Sequence, residues 1–382
     1  MSRSAATENL RDYVAIPSVN PMGREDIDGA ITGETRYAEH LKGQLGQLGV
    51  DAELLGAGER KSVVAHVQAS GSDADTVVVA SHLDTVPVDG MTIDPFAPRI
   101  ERERLYGRGS CDTKGGMAAL VAALSRVLER GKLRRNLILV GESDEEAGSL
   151  GIQDVIAHLA GRRPNWAIAT EPTGMRLVTH HKGCVTARID ARGRSVHGSD
   201  PDAGDNAIET MALAVLAVRQ ENERLRAHPD QRLGPATISV GLAGGGKGVN
   251  VVPDQAWLSA DRRTIPGEDE GSVRAQLERA LVEAGLAGRT ELTECYCNKD
   301  PLSTPDDDPG VMRARQALRD VGLDDSPTGV AFGTDAGPLS LAGIPSVVLG
   351  PGHIAQAHTK DEWIELGQLE EMTEFFVRLL GR

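Results

Sequence analysis

No stretch of this chain stays apolar for long enough to cross a bilayer, so a membrane partner is not expected. The opening residues MSRSAATENLRDYV set an acidic side chain where a secretory leader needs an unbroken apolar run, and a cytoplasmic location is expected instead. Cysteine is scarce. Four in 382 residues (Cys111, Cys184, Cys295, Cys297) give neither the density of a disulfide framework nor a CxxC pair, as in a reducing compartment. Basic charge is in deficit, 41 Lys and Arg against 56 Asp and Glu, for a net charge of −15. Backbone binding to nucleic acid needs a basic footprint, so that partner is disfavoured, and an acidic substrate would need its own local arginine. No GxGxxG follows the first apolar strand, which argues against a nicotinamide enzyme. The glycines Gly244–Gly246 lack the spacing and the lysine of a phosphate loop.

What is present is organised around Ser81–Gly116, SHLDTVPVDGMTIDPFAPRIERERLYGRGSCDTKGG. The β-branched TVVVA of Thr76–Ala80 precedes it as an interior strand, and an alanine-rich helical run over Thr113–Arg130 follows it. Helices are expected over Glu8–Val19, Thr32–Leu48 and Gly148–Ala160, with strands over Ser62–Ala69, Arg135–Gly141 and Trp166–Thr170. This alternation predicts an α/β fold, a central mostly parallel sheet covered by helices on both faces. After Glu171 the pattern changes to one long strand over Leu177–Ala191, a helix over Asn206–Gln220, extended segments at Ala236–Leu242 and Gly248–Thr264, a helix over Glu270–Ala284 and a strand over Thr290–Cys297. That is a small α+β domain inserted between two halves of the first. The expected division is 1–178 and 296–382 for the catalytic domain and 179–295 for an inserted lid or dimerisation domain.

Taken singly, the acidic and imidazole residues have ordinary explanations: His82 a core histidine, Asp112 a helix cap, Glu145 and Glu146 a solvated turn. Together they are harder to dismiss. His82, Asp84, Asp112, Glu145, Glu146, Glu171 and His358 all lie at expected strand ends or in the loops that follow, where α/β sheets place chemistry. Two histidines and several carboxylates are too many for one tetrahedral zinc. They suit two zinc-like ions sharing a carboxylate, roughly 3.5–4 Å apart. Asp84 is the local acceptor for the second ring nitrogen of His82, and of Glu145 and Glu146 one would bind metal while the other moves a proton.

The motifs SHLDTVPV, GRGSCDTKGG, ESDEEAGS, ATEPT, HKG, GRSVHGSDPDAGDNAI, GVNVVPD, DRRTIPGE, FGTDAG and GHIAQAHTKDEW fall in one order along the chain. In that order the chain resembles the dinuclear-zinc deacylase and exopeptidase family that includes acetylornithine deacetylase, succinyl-diaminopimelate desuccinylase, aminoacylase and glutamate carboxypeptidase. The resemblance implies a zinc-exopeptidase-like catalytic domain with a lid. It implies two divalent ions, zinc first, with cobalt or manganese as alternatives. His82 and Glu171 would hold one, Glu146 and His358 the other, and Asp112 would bridge them. Asp84 would orient His82, and the Asp112–Thr113 peptide is expected cis. Glu145 would activate a metal-bridging hydroxide that attacks the substrate carbonyl. His197 would hold the oxyanion across a homodimer formed through residues 179–295. Arg263 would grip the substrate carboxylate, with Asn250, Thr334 and Gly352 near the substrate; strand alternation itself puts Arg262 on the opposite face, where it is expected to be solvated.

The implied substrate is an N-acyl amino acid or short peptide with a free carboxylate. ATEPT and HKG look most like the acetylornithine and succinyl-diaminopimelate branch, and acetylornithine-type deacetylation is the first reading. That branch often carries GTE where this chain has Gly333-Thr334-Asp335. A desuccinylase, a metallo-carboxypeptidase or dipeptidase, and a catalytically silent binding member are the alternatives.

Overall fold

The computed structural model describes residues 4–69, 71, 74–131 and 133–381. Two compact units divide the chain. Met1–Thr179, Ser303–Thr328 and Thr334–Arg382 make the larger, and His180–Leu302 with Gly329–Gly333 the smaller.

The larger unit is built on a mixed sheet whose strands run, side by side, Ala52–Ala57, Arg60–Val67, Asn136–Glu142, Thr76–His82, Trp166–Ala169, Ser346–Val348 and Val178–His181. The four from Asn136–Glu142 to Ser346–Val348 are parallel, and antiparallel pairs flank them. These four are rich in Val, Ile, Leu and Ala because both faces are covered. Val77, Val79, Leu137, Leu139 and Ile168 pack with helices Ala5–Val14, Lys114–Glu129 and Leu366–Gly381. Val78, Ala80, Ile138, Val140 and Ala167 pack on the other side with Ile152, Val155 and Leu159 of helix Leu150–Leu159. Register then does the positioning. His82 is level with Glu142, Ala80 with Ala169, and Ala169 with Val348. Four strands end abreast, and the loops that leave them open on one edge.

Several element limits differ from the sequence reading for identifiable reasons. The first helix stops at Val14 rather than Val19, since Pro17 disfavours helical backbone at Ile16. The second starts at Thr35 because Gly33, at φ +84°, breaks the turn before it. The single strand expected over Leu177–Ala191 is two, Val178–His181 and Gly183–Arg192. The stretch from Gly248 pairs in the sheet only from Gln255 onward. A small sheet of Arg99–Glu101, Arg104–Tyr106 and Trp363–Glu365 gave no periodic signal, each strand being three residues long.

The smaller unit is an antiparallel sheet ordered Thr237–Gly245, Gln255–Thr264, Gly183–Arg192, Thr290–Lys299. Helices Ala207–Arg226 and Glu270–Glu283 share its core. The return expected at 296 falls inside strand Thr290–Lys299, so the chain stays in this unit to Leu302 and revisits it at Gly329–Gly333. Arg262 corrects another expectation. It does face away from Arg263, but that face is the covered one: Arg262 is 1% exposed, donating to Glu268 Oε1 at 2.5 Å and Gln276 Oε1 at 3.2 Å. A buried guanidinium is retained because carboxylate and amide partners receive it.

Close approach of helix Lys114–Glu129 to the sheet depends on Gly116, where a Cβ would lie 2.3 Å from Thr170 Oγ1 and 2.5 Å from Thr170 Cβ. Alanine improves helix propensity by about 1 kcal/mol, whereas overpacking of a tight interface costs about 1–3 kcal/mol. Gly116→Ala is therefore expected to lower stability, read as a lower denaturation midpoint at unchanged slope. A raised midpoint would show that the helix can retreat freely.

Candidate metal centre

Three strand ends and two returning loops bring the acidic and imidazole residues together. His82 closes strand Thr76–His82 and is 1% exposed. Its Nδ1 lies 2.9 Å from the main-chain oxygen of Asp84, and a carbonyl only accepts, so Nδ1 carries the hydrogen. Nε2 is thereby turned to Asp112 Oδ1 at 3.0 Å, with Glu171 Oε2 at 4.0 Å. The second oxygen of Asp112 faces His358 Nε2 at 3.3 Å. His358 Nε2 also meets both Glu146 oxygens, at 3.1 and 3.2 Å. Asp112 thus lies between two imidazole–carboxylate sets, and the peptide after it is cis, as expected. His358 itself adopts φ +58°, a left-handed conformation that non-glycine residues hold only where the surroundings enforce it. Ligand atoms of His82, Asp112 and Glu146 all fall within 4.8 Å of one another, a set of nitrogen and oxygen donors suited to a divalent cation. This is a metal-binding site.

Asp84 serves a wider purpose than the sequence reading assigned. Its carboxylate is 3.5 Å from His82 Nδ1, long for a hydrogen bond. Its close partners are the main-chain N–H groups of Glu145 at 3.1 Å and Glu146 at 3.0 Å, and Asn20 Nδ2 at 2.9 Å. Asn20 also donates to Asp144 Oδ1 at 2.9 Å, and Glu34 Oε1 accepts the Asp144 N–H at 3.1 Å. Asp144 sits at φ +65°. The turn that displays Glu145 and Glu146 is therefore tied down from behind by Asp84, Asn20 and Glu34. Asn20 and Glu34 carried no sequence signal, since neither belongs to an acidic run or a metal-ligand spacing.

The electrostatics follow from crowding. Burial alone would push the His82 imidazole down, but Asp112 and Asp84 outweigh it and hold it well above its ordinary value. Asp112 and then Glu146 raise His358 to about 10. Burial, aided by Asp112, raises Glu146 to about 7. Burial and then Asp335 push Glu142 well above the usual carboxylate range, which keeps that acid neutral beside the cluster. Burial opposes ionisation of Asp112, yet the two imidazoles hold it well below its ordinary value.

The remaining candidates are placed as follows. Thr334 is buried, and its hydroxyl accepts the Ala336 N–H at the start of helix Ala336–Leu341. Gly352 has both backbone groups engaged, N–H to Gln368 Oε1 at 2.8 Å and C=O from Gly174 N–H at 2.6 Å. In the smaller unit, an isolated bridge between His197 and Val251 and the Gly198 N–H to Asn250 carbonyl bond at 2.8 Å set His197 beside Asn250. His197 is exposed. Its Nδ1 lies 2.7 Å from Ser199 Oγ and 3.2 Å from the Ser199 main-chain nitrogen, so this turn holds the ring through that one nitrogen. Arg263 Nε donates to Asp261 Oδ1 at 2.8 Å, and this fixes the guanidinium while its terminal fork stays available.

Comparison with known proteins agrees with this geometry. The model of peptidase family M20/M25/M40 matches residues 78–382. An acetylornithine deacetylase of Edwardsiella ictaluri is 31% identical over 362 residues, covering 93% of this chain and 91% of that one. The Proteus mirabilis enzyme of the same name is 30% identical over 382 residues, covering 98% and 95%. Among solved structures, an M20 family metallo-carboxypeptidase from Sulfolobus solfataricus aligns with a TM-score of 0.80 at 21% identity, over 99% of both chains.

With His82 and His358 as the expected ligands, cation binding displaces the protons that the carboxylates hold on them. Metal affinity is therefore expected to rise with pH between about 6 and 9, with proton release visible by calorimetry in buffers of different ionisation enthalpy. In the metal-free protein the sign reverses. Stability from the pairing of His358 is complete below 6.5 and is lost as pH rises through about 10. Affinity that is flat across that range would overturn the assignment of the imidazoles as ligands.

Proposed function

This chain belongs to peptidase family M20/M25/M40, and on that premise we propose that it is a deacylase cleaving the amide bond of an N-acyl amino acid, as acetylornithine deacetylase does. At the coarser level it is a metal-binding hydrolase of that family, acting on amino-acid or peptide derivatives. The observation that carries the finer reading is Asp112, with one oxygen toward His82 and Glu171 and the other toward His358 and Glu146. This supports two ions sharing Asp112, zinc first, cobalt or manganese as alternatives. Bound there, such ions would act as Lewis acids and lower the pKa of water.

The chain's own groups do the rest. Glu145, 9% exposed and fixed through its N–H by Asp84, takes a proton from the attacking water and passes it to the departing amine. The C–N bond breaks, and a carboxylic acid and a free amine leave. The Nε2–H of His197 stabilises the oxyanion, and the Arg263 fork holds the substrate carboxylate. Exposed Ile208, Leu213 and Leu216 on helix Ala207–Arg226, with exposed Leu242 on the edge strand Thr237–Gly245, support a homodimer through residues 179–295. In it, His197 of one copy would serve the centre of the other. Acetylornithine deacetylases at about 30% identity over nearly the whole chain favour the deacetylase over a peptidase.

A panel of N-acetyl, N-succinyl and N-formyl amino acids beside dipeptides, offered to zinc- or cobalt-loaded protein, tests the substrate. Preference for dipeptides would sink the deacylase reading. Glu145→Ala is expected to lose at least ~100-fold in turnover with metal content near normal, measured by elemental analysis. His197→Ala should lose roughly 100–1000-fold. Mixing those two inactive variants should restore part of the activity in verified hybrid dimers, and no recovery would remove catalysis across the interface.

A further inference from the structure

The segment that presents Asp112 belongs to no helix or strand. Residues 107–113 are a run of turns between strand Arg104–Tyr106 and helix Lys114–Glu129. Its polar backbone converges on a single side chain, Glu362, which is fully buried and has no part in the ligand set. Glu362 Oε1 accepts the N–H of Cys111 at 2.9 Å and of Asp112 at 3.0 Å. Oε2 accepts the N–H of Gly109 at 3.0 Å and Arg108 Nη1 at 2.7 Å. The Glu362 main-chain carbonyl takes the Gly107 N–H at 3.0 Å. Convergent backbone N–H groups of this kind form an anion-binding concavity, and here a carboxylate of the chain itself fills it. Arg108, 3% exposed, balances the charge. Glu362 also follows His358 by four positions, so one short segment carries an imidazole of the centre and the clamp on its shared carboxylate.

We propose that Glu362 is the positioning residue of the centre, setting the Asp112 backbone so that both carboxylate oxygens are preorganised toward His82 and His358. The inference rests on the metal-centre reading above. It separates Glu362 from an ordinary buried acid by one consequence: its loss must alter cation binding as well as stability. Partners one bond removed from a metal typically govern about 10–100-fold in affinity.

The test compares metal-stripped wild type, E362Q and E362A in zinc and cobalt affinity by chelator competition, in the visible absorption of bound Co²⁺, and in the unfolding midpoint of the metal-free protein. Glutamine keeps the shape but turns one acceptor into an NH₂ that faces donors. The expected result is a folded E362Q with affinity lowered about 10–100-fold and a shifted Co²⁺ spectrum. Wild-type affinity and spectrum in E362Q, with only the unfolding midpoint lowered, would overturn the inference and leave Glu362 structural. If E362A fails to fold, the E362Q comparison decides alone. Wild type that binds no ion at all would remove the metal reading and this inference together, whereas ion binding unchanged by E362Q removes only the inference.

Discussion

The larger unit depends on one constraint: a buried carboxylate must stay ionised between two imidazoles. Ionised acids avoid low-dielectric surroundings unless opposite charge or hydrogen bonds compensate them. Asp112 meets that condition through His82 on one oxygen and His358 on the other. The neighbouring acids are sorted by the same rule. Glu142 is held neutral because burial and Asp335 outweigh the pull of His82 and a backbone hydrogen bond, while Asp84 stays ionised because His82, Asn20 and backbone N–H groups outweigh its burial. A cluster that reads as uniform acid along the chain is thus divided by local contacts into acids held ionised, an acid that grips main-chain N–H groups and an acid held neutral.

The supports form two matched layers behind the reacting face. Asp84 fixes the backbone of Glu145 and Glu146, and Glu362 fixes the backbone of Asp112. In each case an anion is spent on main-chain N–H groups. That arrangement aims neighbouring side chains without placing a second carboxylate oxygen where it would compete for the cation. Precision of this kind is what a metal site on loops needs, since loops lack the rigidity of the sheet they leave.

Much of this was legible in the residues. His82, Glu145 with Glu146, and Glu171 stand at the ends of apolar runs, so parallel strands that end abreast must bring them to one edge. Other features depend on partners distant in sequence. The Asp84–Glu145 bond closes over 61 residues and the Asp112–Glu362 bond over 250, and no local pattern announces either. Burial of Arg262 was hidden for the same reason, because alternation reveals which residues share a face but not which face is covered. The early end of the first helix was readable in Pro17, which acts through the backbone of Ile16 and needs no tertiary partner.

The larger unit is discontinuous, and this gives the centre a history during synthesis. His82, Asp112, Glu146 and Glu171 emerge from the ribosome early, whereas His358 and Glu362 follow only after the smaller unit has been made. At synthesis rates of about 5–20 residues per second, the nascent chain holds an unfinished, strongly acidic half-site for many seconds. Until then Asp112 lacks both the His358 imidazole and the backbone bond to Glu362, so a cation that arrives early meets an incomplete set of donors. Timing of metal capture is in this way written into the order of the segments.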